Sequence, residues 1–171
     1  MFRRAVYQYY TNINYRTCEE CLSWHGVIRR NTDAFPNAMD GCESSILRIP
    51  KKQLRSYRDQ SKRMRLRAQG ELKRRELFER ALQCLPDATD EALELLRLAA
   101  SIDLYVPDIE RLAERHRDYF DDHPALREKL RVQLRKAYSD KFGWRRYERL
   151  PEVMRLQRER AGMDRIDELL R

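Results

Sequence analysis

Apolar residues recur along most of this chain at intervals of three and four, the period of a helix with one face turned inward. From Pro50 onward, Leu54, Tyr57, Met64, Ala68, Leu72, Phe78, Leu82 and Leu85 fall on one stripe. The stripe predicts a single helix over 51–85, about 50 Å long at 1.5 Å per residue. Pro50 suits the first turn of that helix and Pro86 its end. Ser61, Glu71 and Arg75 interrupt the apolar positions, and Gly70 marks a kink or a close approach. A helix of that length is expected to project in part from the body or to pair with another chain. Shorter stripes follow. Cap-forming residues at 87–90 precede a helix through 91–100. Pro107 opens a helix with Ile109, Leu112, Ala113, Tyr119 and Phe120 inward. After a break at 121–124, Leu126, Leu130, Leu134, Ala137 and Tyr138 form the next stripe. From Pro151, Val153, Leu156, Met163, Ile166 and Leu170 form the last, with Gly162 in its middle.

The first fifty residues follow another rule. Ala5-Val6-Tyr7-Gln8-Tyr9-Tyr10 is aromatic and branched, as a strand is, and Thr11-Asn12-Ile13-Asn14 reads as a turn. Residues 24–28 offer a second short strand, and 31–33 and 35–37 are loop. The fold class expected is therefore mainly α: a helical bundle with one long basic helix, preceded by a small β-hairpin and cysteine module that resembles a zinc-binding unit. The module occupies 1–50 and the helical domain 51–171, with about four helices after the long one.

Charge sharpens this picture at one place. The chain of 171 residues has a net charge of +8, yet residues 51–80 alone carry 12 basic and 4 acidic groups. Residues 1–50 are nearly neutral and 81–143 are acidic. At 100° per residue, Lys51, Arg55, Arg58, Lys62, Arg65 and Lys73 share one face, with Lys52 and Arg63 beside it. These eight are the candidate docking residues. The face suits an acidic protein surface, self-association or a nucleic-acid backbone; with Asp59, Glu71, Glu76 and Glu79 nearby it also suits plain solvation. A protein partner or a second copy is the expectation, nucleic acid the alternative, and no helix-turn-helix signature is present. No apolar run approaches the roughly 20 residues of a membrane span, and the first residues turn polar too soon for a signal peptide. The expected location is cytoplasmic or virion-associated, with no membrane partner.

Candidate chemistry concentrates in Cys18-Glu19-Glu20-Cys21, followed by His25 and Cys42. A C-x2-C turn aims two thiolates at one ion, and Zn²⁺ favours four such ligands. Cys42 and His25 complete a Cys3His set, with Asp40 or Glu43 as alternative oxygen donors. A disulfide or free thiols fit the same residues. Cys84, beside Leu82 and Leu85, reads as core. His116 and His123 read as surface residues, and Asp121-Asp122 as helix-stop chemistry. A metal-dependent nuclease would need a second histidine or asparagine at a helix start after a strand, and none has that spacing. With no phosphate-cradling glycine loop and no nucleophile motif, a non-catalytic structural or interaction protein is expected.

Tyr15-Arg16-Thr17-Cys18-Glu19-Glu20-Cys21-Leu22-Ser23-Trp24-His25-Gly26, then Phe35-Pro36 and Gly41-Cys42, resembles the cysteine motif of the phage head morphogenesis (minor head protein) family. Tyr7-Gln8-Tyr9-Tyr10 resembles the strand before it, so the likeness spans about 5–45. It implies a small metal-stabilised module in a virion protein or a domesticated prophage, with Cys18, Cys21 and Cys42 as ligands. His25 does not carry over, because the family varies there. The closing histidine and second closing cysteine of the motif are missing from Asp40-Gly41-Cys42-Glu43-Ser44.

Overall fold

The computed structural model of the chain describes residues 5–37, 42–144 and 151–171. Among them the protein is mainly helical, with a small antiparallel sheet ahead of one long helix. The chain divides into two compact units, Met1–Lys73 and Arg74–Arg171.

In the first unit the aromatic run forms β1 (Val6–Thr11), the central strand of three. It pairs antiparallel with β2 (Ile28–Arg29) on one side and with β3 (Ser44–Ile49) on the other. The expected hairpin is thus a three-stranded sheet, and a short helix α1 (Glu19–Trp24) stands between β1 and β2. Cys18 caps α1 through its sulfur, which accepts the Cys21 amide.

A 3₁₀ turn at Lys51–Gln53 leads into α2 (Leu54–Cys84), which runs through Gly70 without interruption. The division between units falls inside this helix, not at residue 50 as the composition suggested. The reason is burial. A fifty-residue module has too little apolar surface to enclose a core alone, and the first half of α2 supplies the missing layer instead of projecting. Ala68 joins Ile13 and Leu22 in a buried cluster, with Leu72 packed against it. Ser61, one of the polar interruptions of the stripe, is buried and donates its hydroxyl to the Gly26 carbonyl. Gly26 adopts φ +82°, and a Cβ there would lie 2.9 Å from both Met64 Cβ and the Ser61 carbonyl oxygen. Only glycine meets the backbone and the steric demand together.

The second unit is built from the last turns of α2 with α3 (Thr89–Ile102), α4 (Val106–Arg115), α5 (Arg117–Asp122), α6 (Pro124–Asp140) and α7 (Glu152–Leu169). Phe78, Leu82, Leu96, Ile109, Leu112, Leu130 and Ile166 share one apolar core. The single helix expected from Pro107 is two, because the backbone leaves the helical region at His116. His116 is also buried, not on the surface: its Nε2 lies 3.0 Å from the Leu82 carbonyl. His123 is exposed as expected. Val153 and Leu156, expected inward, are 67% and 53% exposed, because the buried arc of α7 begins only at Gly162.

Gly162 is where α7 meets α6. A Cβ there would lie 2.2 Å from two carbons of the Tyr138 ring. Gly162→Ala is expected to lower the stability of this unit by about 2 kcal/mol or more. A shift of the urea midpoint measures it, and the loss should shrink in a Tyr138→Ala background.

Candidate metal centre and basic helix face

Two distant stretches of chain deliver the three thiols. The turn before α1 is tied by Thr17, whose hydroxyl donates to the Asn12 carbonyl (2.8 Å) and accepts the Asn14 amide (3.0 Å). That turn sets Cys18, and one helical turn later α1 sets Cys21. Cys42 arrives from across the sheet. The β1–β3 register pairs Thr11 with Ser44, and Asn12 extends the pairing by donating its amide to the Glu43 carbonyl (2.9 Å).

The sulfur atoms of Cys18, Cys21 and Cys42 all lie within 4.8 Å of one another. All four cysteines of the chain are free thiols, so these three form no disulfide. Backbone amides serve two of the sulfurs: Cys21 N–H donates to Cys18 Sγ and Cys18 N–H to Cys42 Sγ, both at 3.3 Å. The Tyr9 hydroxyl lies 3.2 Å from Cys21 Sγ. Cys21 is fully buried, and Tyr9, Val27 and Phe35 enclose it, with Trp24 packed alongside. Phe35 stands edge-on to Trp24 at 5.9 Å between ring centroids, which gives the Phe35-Pro36 loop a place in the wall.

The electrostatics fit a cation. Burial pushes the Cys18 thiol up to about 11, and burial together with the neighbouring Cys21 pushes the Tyr9 hydroxyl up to about 12. Burial also opposes ionisation of Cys21, but hydrogen bonds from Ser44, Tyr9, Cys18 and Cys42 outweigh it and hold that thiol below its ordinary value. Cys21 is thus held below the ordinary thiol value and Cys18 above it, so a positive charge beside the cluster would favour the Cys18 thiolate. A thiophilic divalent ion would supply that charge. The donor set suits such an ion, and the amide and phenol hydrogens are the outer contacts that orient thiolate ligands.

The structure does not bring His25 to this cluster. Its ring is 3% exposed, and Nδ1 accepts the Thr11 amide at 3.1 Å, continuing the hydrogen bonding of β1. The neutral ring therefore carries its proton on Nε2. Glu43 is also engaged, through Oε2, by Asn12 Nδ2 at 2.7 Å. Asp40 lies outside the described residues. Tyr9 and Ser44 were not foreseen as neighbours of the thiols; the aromatic strand just before the motif was the available sign of Tyr9.

Burial, then the charge of Arg67, push the His25 ring down to about 4. Its unfolded value is near 6.5. The neutral ring therefore contributes stability that is fully present above pH 6.5 and is lost as pH falls toward 4, amounting to about 3 kcal/mol. His25→Asn keeps an acceptor for Thr11 but does not titrate. Urea unfolding at pH 7.5 and pH 5, followed by Trp24 fluorescence in a Trp144→Phe background, should show a steeper acid loss with His25 in place than in the His25→Asn variant. Equal losses would contradict this role.

The eight cationic candidates lie on the first unit's share of α2 and the turn before it. Lys51, Lys52, Arg55, Arg58, Lys62, Arg63, Arg65 and Lys73 are all exposed, while Ser61, Met64, Ala68 and Glu71 face inward. The helix thus separates a buried arc from a cationic one. No helix of the described residues is long and apolar enough to cross a membrane.

No protein-family model, curated protein or solved structure matches this chain.

Proposed function

We propose that the chain is a non-catalytic interaction protein in which a structural zinc ion holds the sheet and α1 together, so that α2 is presented as a docking surface for an anionic partner. The observation that carries this reading is the convergence of Cys18 and Cys21 with the distant Cys42, all within 4.8 Å of one another. A site this enclosed by aromatic side chains serves cohesion, because the fully buried Cys21 leaves a reactant little access. Zinc is the ion that thiolate-rich structural sites of small modules take most readily. When bound it would supply positive charge that lets all three sulfurs ionise. The likeness of residues 5–45 to the head-morphogenesis motif supports the same ligands and an assembly role.

Elemental analysis of protein purified without added metal tests the reading. About one equivalent of zinc is expected, and Cys18→Ser should lose it. Absence of metal from both proteins would overturn the proposal.

A further inference from the structure

We infer that the partner of α2 is duplex DNA, bound through its phosphate backbone without regard to sequence; this rests on the reading of α2 as the docking surface. Three properties of the helix face carry it. The first is geometry. Arg55, Arg58, Lys62 and Arg65 follow one another at intervals of three and four within one arc, extended by Lys51 before them and Lys73 after them. From Arg55 to Lys73 the row spans about 27 Å at 1.5 Å per residue. A duplex strand presents a phosphate about every 3.4 Å of its axis, so the four cations from Arg55 to Arg65, spaced about 5 Å apart, match phosphate spacing, with Lys73 about 12 Å further on.

The second property is availability. All six residues are exposed, and Asp59 is the only carboxylate between residues 51 and 70. Arg55, Arg58, Lys62 and Arg65 make no ion pair with another described residue. The charge of these four residues therefore faces solvent, where release of condensed counterions from DNA can drive association.

The third property chooses among anions. A protein partner needs apolar or aromatic anchors at the centre of its interface. Along 51–73 the only exposed large apolar side chain is Leu66. Single-stranded nucleic acid is held by aromatic platforms on which bases stack; the one aromatic residue of the segment, Tyr57, is half-buried. What the face offers is charge in a line, which suits the stiff, evenly spaced backbone of a duplex. No helix-turn-helix signature accompanies this face, so its contacts are assigned to phosphates, which position without specifying.

The test is fluorescence anisotropy of the full chain with a labelled duplex of arbitrary sequence, about two helical turns long. Five phosphate contacts, from Lys51, Arg55, Arg58, Lys62 and Arg65, give a log–log salt slope of about −4.5, so affinity should fall roughly 500-fold between about 50 and 200 mM salt. A second, unrelated duplex should bind equally. The triple variant Arg55→Ala, Arg58→Ala, Lys62→Ala should flatten the slope by about 3. These side chains are exposed, so an unchanged thermal melt verifies that the variant folds. Salt-independent binding, or an unaltered slope in the triple variant, would overturn the inference. So would tighter binding of a single strand of the same length, or binding of polyglutamate in place of the duplex, which would indicate an acidic protein partner. Metal content read on the same samples separates the two proposals. Zinc without DNA binding defeats only this inference, and DNA binding without zinc defeats only the structural role of the metal.

Discussion

With zinc bound as proposed, Cys21→Ser is expected to release it and unfold the sheet and α1, while the helices of the second unit keep their protection. Serine preserves the shape and can still meet the Tyr9 hydroxyl, which lies 3.2 Å from the sulfur. It cannot replace a thiolate. Structural zinc sites contribute on the order of 10 kcal/mol to small modules, and whole domains are stable by only about 5–15 kcal/mol. The buried clusters of the first unit are small: Tyr9, Cys21, Val27 and Phe35 in one, Ile13, Leu22 and Ala68 in another. Losing the proposed ion would therefore outweigh what these clusters retain. Amide exchange should accelerate across β1, β3 and α1 to near the unprotected rate, and chelation of the native protein should reproduce the effect. Cys84→Ser, at a half-buried position beside the core of the other unit, should leave the metal in place. Retention of sheet protection in Cys21→Ser would refute the structural role of the metal.

Asp108→Ala is expected to cost the second unit about 3–5 kcal/mol, the typical result of stranding a buried charge. Arg74 is 2% exposed and Asp108 7%, and their ion pair closes at 2.6 Å. The guanidinium also stands 4.6 Å from the centre of the Tyr105 ring. Removing the carboxylate takes away the 2.6 Å ion-pair partner of a desolvated guanidinium. Asp108 sits in the first turn of α4, where a negative charge also favours the helix. Urea unfolding followed by Trp144 fluorescence in a Trp24→Phe background reads the loss. Arg74→Met combined with Asp108→Leu should cost less than Asp108→Ala alone, because the guanidinium and its 2.6 Å carboxylate leave together. A loss below about 1 kcal/mol for Asp108→Ala would show that water reaches Arg74 and that the pair contributes little.

Both experiments concern residues whose partners lie far along the chain, and this marks how far the sequence could be read. The helical stripes were legible because a period of three and four records burial directly. The stripes at 51–85, 91–100 and 126–138 correspond to α2, α3 and α6. The interruptions at Ser61 and Glu71 were legible as anomalies but not as contacts: Ser61 is polar because it answers the Gly26 carbonyl. The cysteines were legible as a set, since Cys18 and Cys21 lie within one turn. His25 was drawn into that set by proximity in sequence, yet its ring is spent on the Thr11 amide.

Local order thus determined which segments are helical, where the positive charge concentrates and which two thiols lie together, because each depends on residues only a few positions apart. The tertiary structure alone decided three things. Pairing of β3 with β1 brings Cys42 to the other two sulfurs. The close approach of Gly26 to Ser61 and Met64 assigns the first half of α2 to the cysteine module. His25, in the turn that closes α1, accepts the Thr11 amide instead of joining the three sulfurs. The physical reason is common to all three: strand pairing and the burial of isolated polar groups are settled by partners distant in sequence, and leave no period for the chain to display.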